Sequence, residues 1–194
     1  MKGCPCLMVL GLTAVALASV GVIGFVHRTA LPAREIGGPL ACPNCGRTEA
    51  GAPVSIGQPV SYGAVHLTND GTEPAVLEDV TVLDVDPAME LLGTMIVDLG
   101  REPAIGLKRG YPPGRAPGTT HLVAGFTLPQ TDATHFGVQV LIGSRITANG
   151  RHRFRRVAVD YRVRDRRFRA LFDASLLLCA PRSMSTSECA GDDF

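Results

Sequence analysis

Two cysteines separated by two residues, in Ala41-Cys42-Pro43-Asn44-Cys45-Gly46, have a spacing shared by three different chemistries. Such a pair can supply one side of a zinc site, cycle electrons as a dithiol, or close a passive cross-link. A zinc ribbon needs a second knuckle of like spacing. The other carboxy-terminal pair, Cys179 and Cys189, has nine residues between its members, and no histidine stands at ligand spacing beside either pair. A thioredoxin-like centre needs a strand before the motif and a helix after it, whereas this motif follows a Pro/Gly/Ala-rich stretch. Two structural disulfides among Cys42, Cys45, Cys179 and Cys189 are therefore expected in an oxidising compartment. Three connectivities are open. Pairing within each motif is one, and the other two tie the motif to the end of the last strand. The alternative is a zinc, copper or thiol-redox protein using Cys42 and Cys45, with Cys179 and Cys189 as further ligands.

The second chemistry is charge. Nine arginines fall between Arg151 and Arg169, and of nineteen basic residues in the chain only Lys2 and Lys108 are lysines. Gathered on a hairpin, Arg153, Arg162, Arg164, Arg166, Arg167 and Arg169 would make a basic surface. Its partners would be anionic lipid, phosphate-bearing wall polymer or an acidic envelope protein. The competing reading is a solvated face in an Arg-biased sequence, partly neutralised by Asp160, Asp165 and Asp173. A net charge of +1 gives no global attraction to polyanions. The aromatic residues here alternate inward, so nucleic acid is not an expected partner.

Catalytic arrangements are not legible. The sequence has no Gly-x-Ser-x-Gly, His-Glu-x-x-His or Gly-x-x-x-x-Gly-Lys motif. Asp84 and Asp86 alternate with valines, which would put both carboxylates on one strand face as an acid pair or a calcium site. His66, His121 and His135, with Met89 and Met95, are soft ligands a copper protein would use, but without close His-x-Met spacing. No catalytic residue and no cofactor are assigned, and an envelope hydrolase is the weakest of the three readings.

The elements that would carry these residues are mostly short. Leu7 to Val26 is twenty residues without a charge, long enough as a helix to cross the roughly 30 Å bilayer core. Residues 1–6 are then a cytoplasmic tail and 7–26 a transmembrane anchor that partners the lipid bilayer. A cleaved signal peptide is the rival, on the small-x-small site Ala16-Leu17-Ala18. Residues 27–57 read as a linker carrying the Cys-x-x-Cys. Residues 58–180 hold seven strand-like runs, at 62–68, 75–85, 90–99, 121–128, 136–146, 155–163 and 168–178. They are separated by turn signals such as Asn149-Gly150 and by a Gly/Pro-rich loop at 100–119, long enough for a binding loop. Val157, Val159, Tyr161 and Val163 share one face, with Asp160, Arg162 and Arg164 on the other. A slip of phase predicts a bulge near Arg155-Arg156. The fold class is all-β: an Ig-like antiparallel β-sandwich of about seven strands preceded by one transmembrane helix. Residues 181–194 read as a flexible tail.

The stretch "RRVAVDYRVRDRRFRALFDASLLLCAP" resembles the closing strands of uncharacterised single-pass proteins of high-GC Gram-positive (actinobacterial) bacteria. Val159, Asp160, Tyr161, Arg162 and Cys179 fit their pattern, and Asp165-Arg166 departs from it where a glycine is typical. That departure puts the pairing of the last two strands in question. The resemblance implies an extracytoplasmic Ig-like domain on a membrane anchor and supplies no reaction. The expected role is a binding or structural module of the cell envelope.

Overall fold

Inward-facing positions follow a two-residue period that breaks at defined points, and each break coincides with a shift in strand register. The computed structural model describes residues 33–46, 49–100, 104–116, 118–132 and 137–190. Twelve strands and one short helix are assigned among them. In chain order these are β1 (Glu35–Ile36), β2 (Leu40–Ala41), β3 (Glu49–Pro53), β4 (Val60–Asn69), β5 (Ala75–Leu83) and β6 (Met89–Asp98). β7 (Leu107–Arg109), β8 (Thr119–His121), β9 (Thr127–Leu128), β10 (Val138–Ile146), β11 (Gly150–Val163), β12 (Arg166–Ala180) and α1 (Thr186–Ala190) follow.

Two sheets stack around one main core. The first runs β1-β12-β11-β5-β9, with β3 also on β12; the second runs β2-β4-β10-β6-β8, with β7 also on β4. The chain crosses between the sheets from β4 to β5, from β5 to β6 and from β10 to β11, whereas β6 pairs with β10 inside the second sheet and β11 with β12 inside the first. In β5 the core positions pass from Ala75 and Leu77 to Val80 and Val82, because Glu78 is left unmatched against β11. In β11 they pass from Phe154 to Val157 across a register shift between Phe154 and Arg156, where the sequence predicts a bulge. Tyr62 and Phe154 meet edge to face at 5.7 Å in the middle of this core.

Several sequence expectations need correction. The segment expected as a linker over 27–57 contributes β1, β2 and β3 to the sandwich. Each piece is too short to show a period of its own, which is why the sequence reads as irregular. The run 121–128 is not one strand: β8 pairs with β6 in one sheet and β9 with β5 in the other. The last two strands pair along their whole length, from Gly150 opposite Ala180 to Val163 opposite Arg166. Arg164 takes the positive φ of 52° that a glycine would adopt more easily. Asp160 is not on a wet face; it is 2% exposed.

The residues 181–190 are fastened, not loose. Ser185 Oγ accepts the Glu188 N–H at 3.1 Å, and the Glu188 carboxylate accepts the Ser185 N–H at 2.6 Å. That reciprocal pair is a capping box, which starts the helix that buries Cys189 against Leu177 and Cys179. The expected membrane span at 7–26 and the tail at 1–6 lie outside the described residues. Among the described residues no helix is long and apolar enough to cross a membrane.

The described residues 104–116 pack on the outer face of the second sheet. Gln139 donates to the Ile105 carbonyl at 2.8 Å and accepts its N–H at 2.9 Å, so one side-chain amide stands in for a neighbouring strand. Ile105 then packs with Val97, Leu99 and Leu141 in a second cluster. Tyr111 lies over the cross-strand pair Gly93 and Gly143; a Cβ on Gly143 would come within 2.3 Å of its ring. The two glycines leave the space that the ring fills.

Candidate functional site

The cysteines form two local bridges. Cys42 pairs with Cys45 and Cys179 with Cys189, three and ten residues apart in sequence. In the chain-entropy picture loops of that size stabilise by ~2 and ~3 kcal/mol, less than a bridge spanning the domain would give. The first bridge closes a turn after β2, in which Cys45 N–H donates to Cys42 O and Gly46 N–H to Asp173 O. It thus ties β2, on the second sheet, to β12, on the first. Among the described residues no group of three or more His, Cys, Asp or Glu side chains is placed to hold a metal.

The arginines are mostly matched by carboxylates. Arg169 holds Asp160 through two bonds of 2.7 and 2.8 Å, and Arg34 reaches the same carboxylate at 2.9 Å. Arg167 pairs with Glu78, Arg166 with Glu35 and Arg164 with Glu73. Arg153 and Arg162 are exposed and have no carboxylate partner among the described residues. The Glu35 carboxyl is held below the usual range by its hydrogen bond to Arg166. Of the six arginines proposed as a basic surface, four therefore spend their charge on the protein itself.

Asp84 and Asp86 do not share a strand face. β5 ends at Leu83, Asp84 takes a positive φ of 54°, and its carboxylate binds Arg156 at 2.7 Å. Asp86 turns instead to the Ala88 N–H at 2.9 Å and to His152 Nδ1 at 3.0 Å. The Ala88 N–H, followed by His152 against the opposing cost of burial, keeps the Asp86 carboxyl below its ordinary value. His152, which sequence reasoning passed over, is nearly buried, and its Nε2 lies 3.2 Å from Asn149 O. Its only sequence signal was a histidine at an inward position beside a turn. His66 lies half-buried on β4, and His121 is exposed and tilts against Phe126 at 5.1 Å. Met89 is in the main core and Met95 borders the second cluster. His135 lies outside the described residues.

Two concave surfaces stand out, of about 400 Å³ each. One, at the β11–β12 turn, has Pro39, Val163 and Phe168 as its apolar lining and Arg164 and Arg166 beside them. The Arg166 guanidinium sits 5.1 Å from the centre of the Phe168 ring. Both arginines already face Glu73 and Glu35. The other groove runs between the two sheets, lined by Asp79 to Val82 of β5 and Leu91 to Thr94 of β6.

That second groove lies where both sheets stop. β9 pairs with β5 only at Ala75 and Val76, with two further bonds at Leu77. β8 pairs with β6 only from Ile96 to Asp98. Beyond those contacts the outer edges of β5 and β6 have no strand beside them among the described residues. Leu91 stands at the mouth, 39% exposed, while Val80 and Val82 turn inward. The sequence marks β5 and β6 as strands but says nothing of which strand lies at an edge.

No family model and no curated protein matches the chain. Among solved structures it is similar to one described as "Structure of Vibrio cholerae VesB protease", at 11% identity and a TM-score of 0.32. The likeness covers 73% of this chain and 32% of that one, so the chain spans about a third of that protein's length. A likeness at this level carries no argument about activity.

Proposed function

We propose that this protein is a membrane-anchored binding module of the cell envelope, with its disulfide-stapled β-sandwich on the extracytoplasmic side. The observation that carries the binding part is the groove between the open edges of β5 and β6. Unpaired edges are usually blunted or covered in a monomeric protein, and an open one beside an apolar wall is a surface that a partner can complete. The two bridges support an oxidising compartment. The anchor rests on the apolar run of residues 7–26 and on the resemblance to actinobacterial single-pass proteins. Strand order supports an Ig-like assignment: β2-β4-β10-β6 against β12-β11-β5 matches the ABED and CFG arrangement.

Location is tested by expressing the full chain in its membrane and adding protease to intact, wall-stripped cells. Digestion of the sandwich, together with four blocked cysteines in the 42–189 region before reduction and four free after it, is the expected result. A sandwich that survives until the cells are lysed, or that holds free thiols when isolated, overturns the assignment.

A further inference from the structure

We propose that the outer edge of β5 is a template for strand addition, and that its partner is an extended, basic segment of another protein. The inference specifies the binding part of the reading above and is independent of which side of a membrane the domain faces.

The two edges of the groove are not equivalent. On β5, Asp79 to Leu83 keep an unbroken register with Asp160 to Arg156 of β11, so their backbone is regular. The opposite side of that same stretch has no strand beside it among the described residues. β6 is a poor template: Leu92 is unmatched against β10, and Gly93 has φ of 139°. A bulge of that kind bends a strand away from new pairing. It leaves Leu91 and Leu92 as an apolar wall. An incoming strand on β5 would gain main-chain hydrogen bonds from one side. Alternate side chains would enter between Val80 and Val82 and the two leucines.

Charge selects the occupant. Asp79 is the one charged residue lining the groove, it is exposed, and its hydrogen-bond partner is the Thr81 hydroxyl at 3.0 Å. Asp84 lies just past the strand end. A second copy pairing on β5 would offer Asp-Val-Thr-Val-Leu from its own 79–83, with no basic residue to face Asp79. A foreign strand with Lys or Arg at that position gains an opposite-charge pair that a second copy lacks.

The test uses the purified full chain in detergent and synthetic peptides of about seven residues, long enough for one strand. One alternates Val and Thr with a central Lys, a second carries Glu in place of Lys, and a third carries Pro at alternate positions to remove backbone donors. The Lys peptide is expected to slow amide hydrogen exchange within residues 79–83 and to bind most tightly. The Pro peptide is expected to leave exchange unchanged. In D79K the order of the Lys and Glu peptides should reverse, each affinity changing about tenfold at low salt. Unaltered exchange at 79–83 with every peptide overturns the proposal, and leaves the cellular location of the domain to its own protease test. Protection at 79–83 that rises with protein concentration alone, alongside a dimer in sedimentation, overturns it in favour of a second copy. Equal binding of the Lys and Glu peptides overturns the choice of a basic partner.

Discussion

Removing one hydroxyl tests whether the amino-terminal strands are part of the fold or an appendage to it. Tyr161 is fully buried, and its Oη donates to Gly37 O at 2.8 Å and accepts the Leu40 N–H at 3.4 Å. Its ring stacks on Phe168 at 5.3 Å. Gly38 passes so close that a Cβ there would stand 2.2 Å from the hydroxyl and 2.8 Å from Phe168 Cδ1. Y161F keeps the ring, removes the bond to the Gly37 carbonyl and leaves the buried Leu40 N–H without this acceptor. One good hydrogen bond is worth about 1 kcal/mol net, and a buried group left unpaired costs about 1–3 kcal/mol, so the expected loss is about 1–2 kcal/mol. With a urea slope of about 2 kcal/mol per molar, the unfolding midpoint falls by roughly 0.5–1 M. Alkali supplies a second signature. Burial raises the Tyr161 hydroxyl above its ordinary value of 10.0, with the Leu40 N–H opposing. A group whose folded value is raised contributes stability that is whole below the unfolded value and lost as pH rises through the folded one. Wild type should therefore lose its advantage over Y161F as pH climbs past 10. A midpoint shift worth less than about 0.5 kcal/mol, the range of an ordinary surface change, refutes the clamp, as does a difference that persists unchanged in alkali.

Three further outcomes follow from the same geometry. Replacing both Cys179 and Cys189 by alanine should cost about 3 kcal/mol and replacing Cys42 and Cys45 about 2 kcal/mol, read from urea midpoints against the reduced wild type as control. G143A drives a Cβ into the Tyr111 ring; faster hydrogen exchange over 104–116 with little change in β11 or β12 is expected, and global loss of protection would refute a locally packed loop. Asp86 is held down chiefly by the Ala88 N–H, so its contribution is present above the ordinary carboxylate range and fades as pH falls through its folded value. D86N should be less stable than wild type at pH 7, and the gap should narrow in acid titrations followed by circular dichroism.

Long strands were readable because both of their faces leave a mark. β4, β5, β6, β10, β11 and β12 each overlap a predicted run, the runs at 75–85, 90–99 and 136–146 reaching one or two residues past the strands, and even the irregularity at Phe154 to Arg156 showed as a slip in alternation. β1, β2 and β3 were not readable, since two to five residues of Pro-, Gly- and Ala-rich chain carry no period. Their pairing is decided by distant partners: β1 and β3 lie parallel to β12, and β2 lies on β4. The same limit applied to charge. Asp160 sits in sequence among outward-facing residues, yet Arg169 and Arg34 enclose it on the outer face of the first sheet. Alternation gives the face of a sheet and says nothing of what covers it. The candidate groove was illegible for a related reason, because an edge is defined by which strand is missing.

The distribution of ion pairs bears on why the groove, and not the arginine-rich hairpin, is the better surface for recognition. Exposed pairs such as Arg166 with Glu35 add little to stability, but they offset the field that a polyanion would need. Asp160 is different: a carboxylate this buried is costly to desolvate unless it is surrounded, and two guanidiniums supply that enclosure. Removing Arg169 alone would leave Asp160 with a single partner, so Arg169, like Arg164, Arg166 and Arg167 with their own carboxylates, is engaged by the fold before any ligand arrives. Along β5 from Asp79 to Leu83 the situation is reversed. Side chains there are settled in the core or in small local contacts, while the outer backbone edge has no strand beside it among the described residues. Backbone donors and acceptors retain full hydrogen-bonding strength toward any extended chain. The surface most available to a partner is therefore the one whose chemistry is common to every peptide, with Asp79 and the two leucines narrowing which peptide fits.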